Sequence, residues 1–418
     1  MTTSARIILS TIFLTLACAL AVTYAMAFYA GVESQSGVAQ VNVVWKTRRV
    51  SRLTRETLPA EIKAADEGAN QHFLSPDFGR CEMLLLGCNE MPESHRATIE
   101  HILAAAVEEV SVVALVNNEN QKTHIEELIR SRNLPADRIK ILRRSLHSMW
   151  IRDYGPSFVH QRDNGRAVVA DADYSAIADK ERWLDDEFPI VLSRILGVER
   201  VSVPLRLEGG NLLTNGDGLC VTTGVLIDRN KSRSYALEDI GALLREFFGF
   251  NQWIYLEPLD NEPSGHVDMF VTILAEDLVL VGEISPYADF VNAERLNEWA
   301  QILSETTTSR GNKLRVERIP VPPRSGENWR SYNNVIILNR TILVPTFSDV
   351  DPALQQQALS TYERLMPGWK IIEIPADSLV PYRGLLRCIS LQVPWYVPIE
   401  SLLQSNQTIH SATTSLSE

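Results

Sequence analysis

The chain has 418 residues, with 40 Lys+Arg against 52 Asp+Glu, a formal net charge of −12 and 45% hydrophobic residues. That length and apolar content predict a globular protein with a full core, as one large domain or two ordinary ones. The acidic balance excludes nucleic acid as a main partner, because phosphate binding needs basic surface.

No charged residue lies between Arg6 and Glu33. As a helix, residues 7–32 would span about 39 Å at ~1.5 Å per residue, against a hydrocarbon core of ~30 Å. Residues 1–33 are therefore set apart as a signal peptide, with Ala25-Met26-Ala27 as its small-x-small site, or as an uncleaved membrane anchor, which the length favours slightly. Lys46, Arg48, Arg49, Arg52 and Arg55 follow the run, while Arg6 precedes it. The positive-inside rule would keep the rest of the chain cytoplasmic. Those charges begin at the outer edge of the rule's reach, so the side stays open, with export favoured: a membrane-anchored, secreted or periplasmic protein.

Residues 34–70 are polar and basic, without an apolar period, and are read as a linker. From residue 73 the pattern changes. Strands are predicted over 82–87, 110–116 and 138–143, with helices over 95–109 and 123–132 between them. The alternation continues: strand 167–172, helix 182–196, strands 201–207 and 218–223, helix 236–247, strands 253–256, 269–274 and 278–281, helix 293–308, strand 313–319. A hairpin joins 335–338 and 341–345 across Asn339 and Arg340, then helix 351–366 and strand 369–374 follow. Strands alternating with helices place residues 71–400 in the α/β class. Residues 401–418 are rich in Ser, Thr and Gln and read as a disordered tail.

The five cysteines fit no zinc or disulfide spacing. Cys18, Cys81, Cys88 and Cys220 lie in apolar runs and read as small buried hydrophobes. Cys388 differs because of the motifs that precede it: W-x-R-D-x-G-P at 150–156, E-G-G-N at 208–211 and G-H-x-D at 265–268. Singly, each has an ordinary structural explanation. Asp153 before Gly and Pro suits a turn, and two glycines after Glu208 end a strand. Jointly, they place three carboxylates, one imidazole and one thiol at the ends of predicted strands, where α/β proteins carry their sites. Extended backbone between His266 and Asp268 would turn both to one side.

That set suits a planar cation such as a guanidinium. Two carboxylates hold its fork of N–H donors. A thiolate, favoured by the substrate's own charge and by His⁺, attacks the carbon. The imidazole protonates departing ammonia and then activates water. A third carboxylate orients the imidazole.

With N-x-x-S-Y-x-N at 328–334 and V-P-T-F at 344–347 added, the ordered set resembles the agmatine deiminase and bacterial peptidylarginine deiminase family of guanidino-modifying enzymes, of the pentein superfamily, over about residues 73–394. The resemblance implies a five-bladed, pseudo-symmetric α/β propeller with its site in the central channel. It implies Cys388 as nucleophile, His266 as general acid and base, and Glu208 as support for His266. Asp153 and Asp268 would bind the guanidinium, with Trp150, Asn211 and Asn334 beside the substrate. No cofactor or metal is implied. The substrate would be agmatine, arginine or the arginine side chain of a peptide.

The nucleophile segment departs from the pattern. Where the family has G-G-x-x-H-C-x-T, this chain has Arg383, Gly384, Leu385, Leu386, Arg387, Cys388, Ile389 and Ser390. Arg387 either lowers the thiol pKa or points away. Arg182, Asp185 and Asp186 sit nearer the peptidylarginine deiminase pattern. Two rivals stay open: an amidinotransferase, and a membrane-tethered, non-catalytic module that binds arginine-rich partners.

Overall fold

The computed structural model describes residues 72–90, 92–174 and 182–404, together with the backbone of Val43–Val44. The predicted leader, most of the predicted linker and residues 405–418 lie outside the described residues. Val43–Val44, within the predicted linker, pairs antiparallel with Trp253 and Gln252.

The described residues form five small sheets, and each contains the same unit. Two strands form an antiparallel pair, the chain crosses over through helix, and a third strand returns parallel to the second. The first unit is Ser157–Gln161, Ala167–Asp173 and Glu199–Arg206. The second is Leu213–Thr214, Leu219–Thr223 and Gln252–Leu256. Next come Val271–Ala275, Leu278–Glu283 and Arg315–Pro320, then Ile336–Leu338, Thr341–Thr346 and Lys370–Pro375. The fifth unit joins the two ends of the domain. Ser390–Pro394 pairs antiparallel with Cys81–Gly87, which is parallel to Ser111–Val116, itself parallel to Ile139–Arg143.

The sequence dictates most of this locally. Helix Glu119–Ser131 starts at Asn118, whose side chain accepts from Gln121 N, and buries Ile125, Leu128 and Ile129. Asp351 caps Pro352–Leu365 through Ala353 N, with Pro352 in the first turn. Strands Cys81–Gly87 and Leu278–Glu283 are buried almost throughout, as strands covered on both faces must be. The expected hairpin turns at Asn339, which takes φ 54°.

Three differences have physical reasons. The expected helix 182–196 is two helices, Trp183–Asp186 and Phe188–Leu196, broken ahead of Pro189. Ser157–Gln161 and Ser390–Pro394 are strands where none was expected: each is only five residues long, and each is held in part by a strand far along the chain, His72–Leu74 and Cys81–Gly87 respectively. Residues 400–404, spanning the predicted start of the tail, carry a short helix, Glu400–Gln404.

Candidate active site

The five segments that carry the predicted site residues occupy one position in the repeat, whereas V-P-T-F at 344–347 ends a second strand. Asp153 precedes strand Ser157–Gln161, Glu208 precedes Leu213–Thr214, His266 and Asp268 precede Val271–Ala275, Asn334 precedes Ile336–Leu338, and Cys388 precedes Ser390–Pro394. Glu208 also closely follows a strand; the other motifs lie well beyond the strand before them. The shared feature is thus entry to a first strand rather than exit from a strand. The two expectations meet in space. A first strand runs antiparallel to the second, so its start lies beside the carboxyl ends of the parallel pair.

Tight turns aim these side chains. Ile151–Tyr154 is one helical turn, in which Asp153 N donates to Trp150 O at 2.9 Å. Gly209–Asn211 and Val267–Met269 are single 3₁₀ turns. Asp268 therefore does not share a side with His266 through extended backbone, as the sequence predicts; the turn brings it round. Arg152 N donates to Cys388 O at 3.1 Å and Gly87 N to Ile389 O at 2.8 Å, which pins the backbone around the thiol.

The imidazole of His266 lies between two carboxylates, with Nε2 3.3 Å from Glu208 Oε2 and Nδ1 3.6 Å from Asp153 Oδ1. Gly210 N donates to the same Asp153 oxygen at 3.1 Å. A Cβ at position 210 would stand 2.5 Å from His266 Nδ1 and 2.6 Å from Asp153 Oδ1, so this close approach requires glycine. Burial would lower the His266 pKa, but Asp153, Glu208 and Asp268 together outweigh it and hold it up at about 10. Burial, with help from Glu208 and Asp268 and against the pull of His266, raises Asp153 to about 7.

Cys388 is 5% exposed, and Asn334 Nδ2 lies 3.5 Å from its sulfur. Burial, reinforced by the charges of Asp268 and Asp153, pushes the thiol well above its ordinary range. Arg387 does not offset this. Its guanidinium is spent on Asp77 (Nε to Oδ2, 2.6 Å), Asp268 (Nη1 to Oδ2, 2.8 Å) and the carbonyls of Gly209 and Leu212. Of the two possibilities for that residue, the structure has the side chain turned to the carboxylates. Asp268 is fully buried, and its second oxygen, Oδ1, has no partner.

The other predicted site residues are placed as follows. Asn211 Oδ1 accepts from Thr223 N at 2.9 Å, Thr223 Oγ1 at 3.1 Å and Val267 N at 3.2 Å, tying the Glu208 turn to the His266 turn. Trp150 lies against Gly384, where a Cβ would meet its ring at 2.3 Å. Asp185 accepts from His147 N and Ser148 Oγ, supporting the segment that leads to Trp150. Sequence reasoning missed Arg152 and Asp77. Arg152 sits inside the W-x-R-D motif, reaches Gln392 and Asp77, and is lowered to about 10 by burial and by Arg387. Asp77, in a Ser-Pro-Asp-Phe-Gly stretch, offers no signal but turn chemistry.

A recess of about 740 Å³, open to solvent, is lined by Asp77, Arg152, Gly209 and Arg387 but by neither Cys388 nor His266. Neighbouring residues on the same entry turns thus serve different surroundings: Asp153 and Cys388 the thiol site, Arg152 and Arg387 the recess. Glu208 faces two cations with one oxygen, His266 Nε2 at 3.3 Å and Arg229 Nε at 3.6 Å, while Asp153 and Asp268 act on the thiol by their charge.

Fold and site define an α/β protein of five repeated units, with a buried thiol, an imidazole and paired carboxylates gathered at their entry turns. The chain belongs to the family of Porphyromonas-type peptidyl-arginine deiminases, whose pattern it matches over residues 87–394. It is 26% identical to an agmatine deiminase of Pseudomonas fluorescens over 344 residues, covering 74% of this chain and 89% of that protein. Its fold is similar to that of the agmatine deiminase of Enterococcus faecalis, with TM-score 0.67 at 20% identity over 78% of this chain and 96% of the other. The Campylobacter jejuni (C. Jejuni) agmatine deiminase gives TM-score 0.64 at 18% identity over 77% and 96%. These likenesses show that the chain shares the α/β fold of those two deiminases.

Proposed function

We propose that this chain is a deiminase that hydrolyses a guanidino group to a ureido group and ammonia through a covalent intermediate on Cys388. The observation that carries the reading is the gathering of the Cys388 thiol, the His266 imidazole and the carboxylates of Asp153, Glu208 and Asp268 on neighbouring entry turns. Family membership and the agmatine deiminases among its relatives support it.

The steps follow from the groups present. Asp153 and the free Oδ1 of Asp268 accept N–H bonds from the guanidinium and hold it planar. Its charge lowers the cost of the thiolate, whose proton leaves to solvent. The sulfur bonds to the guanidinium carbon. His266, charged at neutral pH, protonates the departing nitrogen, the C–N bond breaks and ammonia leaves a thiouronium. Neutral His266 then takes a proton from water, the new C–O bond forms, and the C–S bond breaks to release ureido product. We read the five units as blades of a closed ring with this site at its centre. The arginine side chain of a peptide is the favoured substrate over agmatine, on the pattern of Arg182 and Asp185–Asp186. The uncharged run at 7–32 supports an exported or membrane-held location.

One observation favours a non-catalytic arginine-binding module instead: the thiol is buried, and that burial with the charges of Asp268 and Asp153 holds it well above its ordinary pKa. One assay separates the readings. The full chain is incubated with agmatine, free arginine and an arginine-containing peptide, with and without glycine as amidine acceptor. Ureido product and ammonia, abolished in Cys388→Ala, are expected. Product at the wild-type rate from Cys388→Ala removes the covalent mechanism, transferred amidine indicates an amidinotransferase, and tight binding without turnover indicates the module.

A further inference from the structure

Arg387 lies immediately before Cys388, and its buried guanidinium bonds two carboxylates and two carbonyls. From the fifth entry segment it reaches two others, Gly209 and Leu212 on the second and Asp268 on the third, and also Asp77 in the segment that leads into strand Cys81–Gly87. An arginine fork meeting one carboxylate normally uses two parallel bonds, one to each oxygen. Here it does not. Nη1 takes Oδ2 of Asp268, Nε is held back by Asp77, and Oδ1 of Asp268 is left buried without a donor. A buried acceptor left unmade is costly, so such an oxygen calls for a partner that arrives later.

We propose that Arg387 is a positioning residue: anchored by Asp77, it holds Asp268 by one oxygen and presents the other as a single-point acceptor for the N–H of a guanidino ligand. The proposal rests on the deiminase reading for the identity of that ligand. It accounts for a fully buried aspartate that is bonded to its own cation through one oxygen only. It also gives Asp77, which lines the recess rather than the thiol site, a part in ligand binding at a distance. Without Asp77, Nε is released, and the fork is free to rotate and cap both oxygens of Asp268. The chain's own guanidinium then competes with the substrate's.

The test separates this role from simple structural support. Asp77→Ala and Arg387→Lys are made in the full chain, each also in a Cys388→Ala background where binding is read without turnover. Calorimetry with agmatine and with arginine amide is expected to show affinity reduced about tenfold or more in both, the size of a lost charge-assisted bond. In the catalytic background KM rises by a similar factor for Asp77→Ala, with kcat changed less. Asp77→Asn, which keeps shape and an acceptor for Arg387, restores most of the affinity. Folded variants with a lowered Tm and wild-type affinity overturn the proposal. Should the substitutions prevent folding, a crystal structure of Cys388→Ala with agmatine decides. A ligand nitrogen on Asp268 Oδ1 with Arg387 still on Oδ2 upholds the clamp, and Arg387 displaced from Asp268 overturns it. A wild-type chain that turns over no guanidino compound defeats the deiminase reading, while binding still reports on the clamp.

Discussion

Asn334 and Cys388 stand on the fourth and fifth entry segments, and their side chains meet with Nδ2 3.5 Å from Sγ, while Oδ1 of the same amide accepts from Arg387 N at 2.9 Å. The amide therefore orients the nucleophile's backbone and offers a donor to its sulfur. Removal of that donor by Asn334→Ala is expected to lower kcat about 100–1000-fold, the range for one preorganised donor at a developing charge, with a smaller change in KM. Asn334→Asp keeps the acceptor but sets a negative charge on the thiolate, and is expected to be worse than alanine. Steady-state kinetics, with iodoacetamide alkylation of Cys388 as a function of pH, checks both.

Activity should follow the two shifted groups beside the sulfur. Asp153, raised by burial to about 7, must be ionised to hold a cation, so kcat/KM is expected to rise with pH through about 7. The acid role of His266, held at about 10 by the carboxylates against the effect of burial, fails above that value. The resulting bell runs between those limits, and Glu208→Gln should draw the alkaline limb downward. A sign follows for stability too. A histidine raised from 6.5 contributes stability that is complete below 6.5 and is lost as pH climbs through about 10. Melting temperatures across that window should fall in the wild type and fall less in Glu208→Gln.

Gly210→Ala tests the closeness of the imidazole and Asp153. The added methyl would lie 2.5 Å from His266 Nδ1 and 2.6 Å from Asp153 Oδ1, forcing the two apart. A loss of about 100-fold in kcat/KM is expected, as for small misplacements of reacting groups, with Tm changed by only a few degrees. Activity at the wild-type level would mean that this spacing has no part in the reaction.

Arg383 carries a backbone conformation suited to another residue. It takes φ 66°, in the left-handed region that favours glycine, and its side chain makes an exposed pair with Glu327. The left-handed conformation costs roughly 1–2 kcal/mol for a residue with a Cβ, whereas an exposed ion pair contributes about 0–1 kcal/mol. Arg383→Gly is expected to leave Tm unchanged or raise it slightly, the gain being offset by the greater freedom of unfolded glycine. Arg383→Val, stiffer at its branched Cβ, should lower Tm by several degrees. Thermal unfolding of the two variants gives the comparison.

Much of this was legible in local pattern. Apolar periodicity located nearly every helix and the inner strands, because helices such as Glu119–Ser131 and strands such as Leu278–Glu283 bury one face or both and their composition reflects it. The first strands were less legible. Ser157–Gln161 and Ser390–Pro394 are short and mixed in character, and each pairs with a strand far along the chain. Without those strands the recurring strand–helix units suggest a repeat but not the common position of the motifs within it.

The sequence by itself determined the cast: one thiol, one imidazole and three carboxylates in a fixed order, with an arginine where a histidine is usual. Only the tertiary structure decided which oxygen each group faces, that Arg387 turns to Asp77 and Asp268 rather than to the sulfur, and that Arg152 and Asp77 belong to the same charged cluster. The reason is that periodicity records what a segment does along its own axis. A contact between Asp77 and Arg387, or between Glu208 and His266, depends on how separate sheets bring their entry turns together, and no local pattern encodes it.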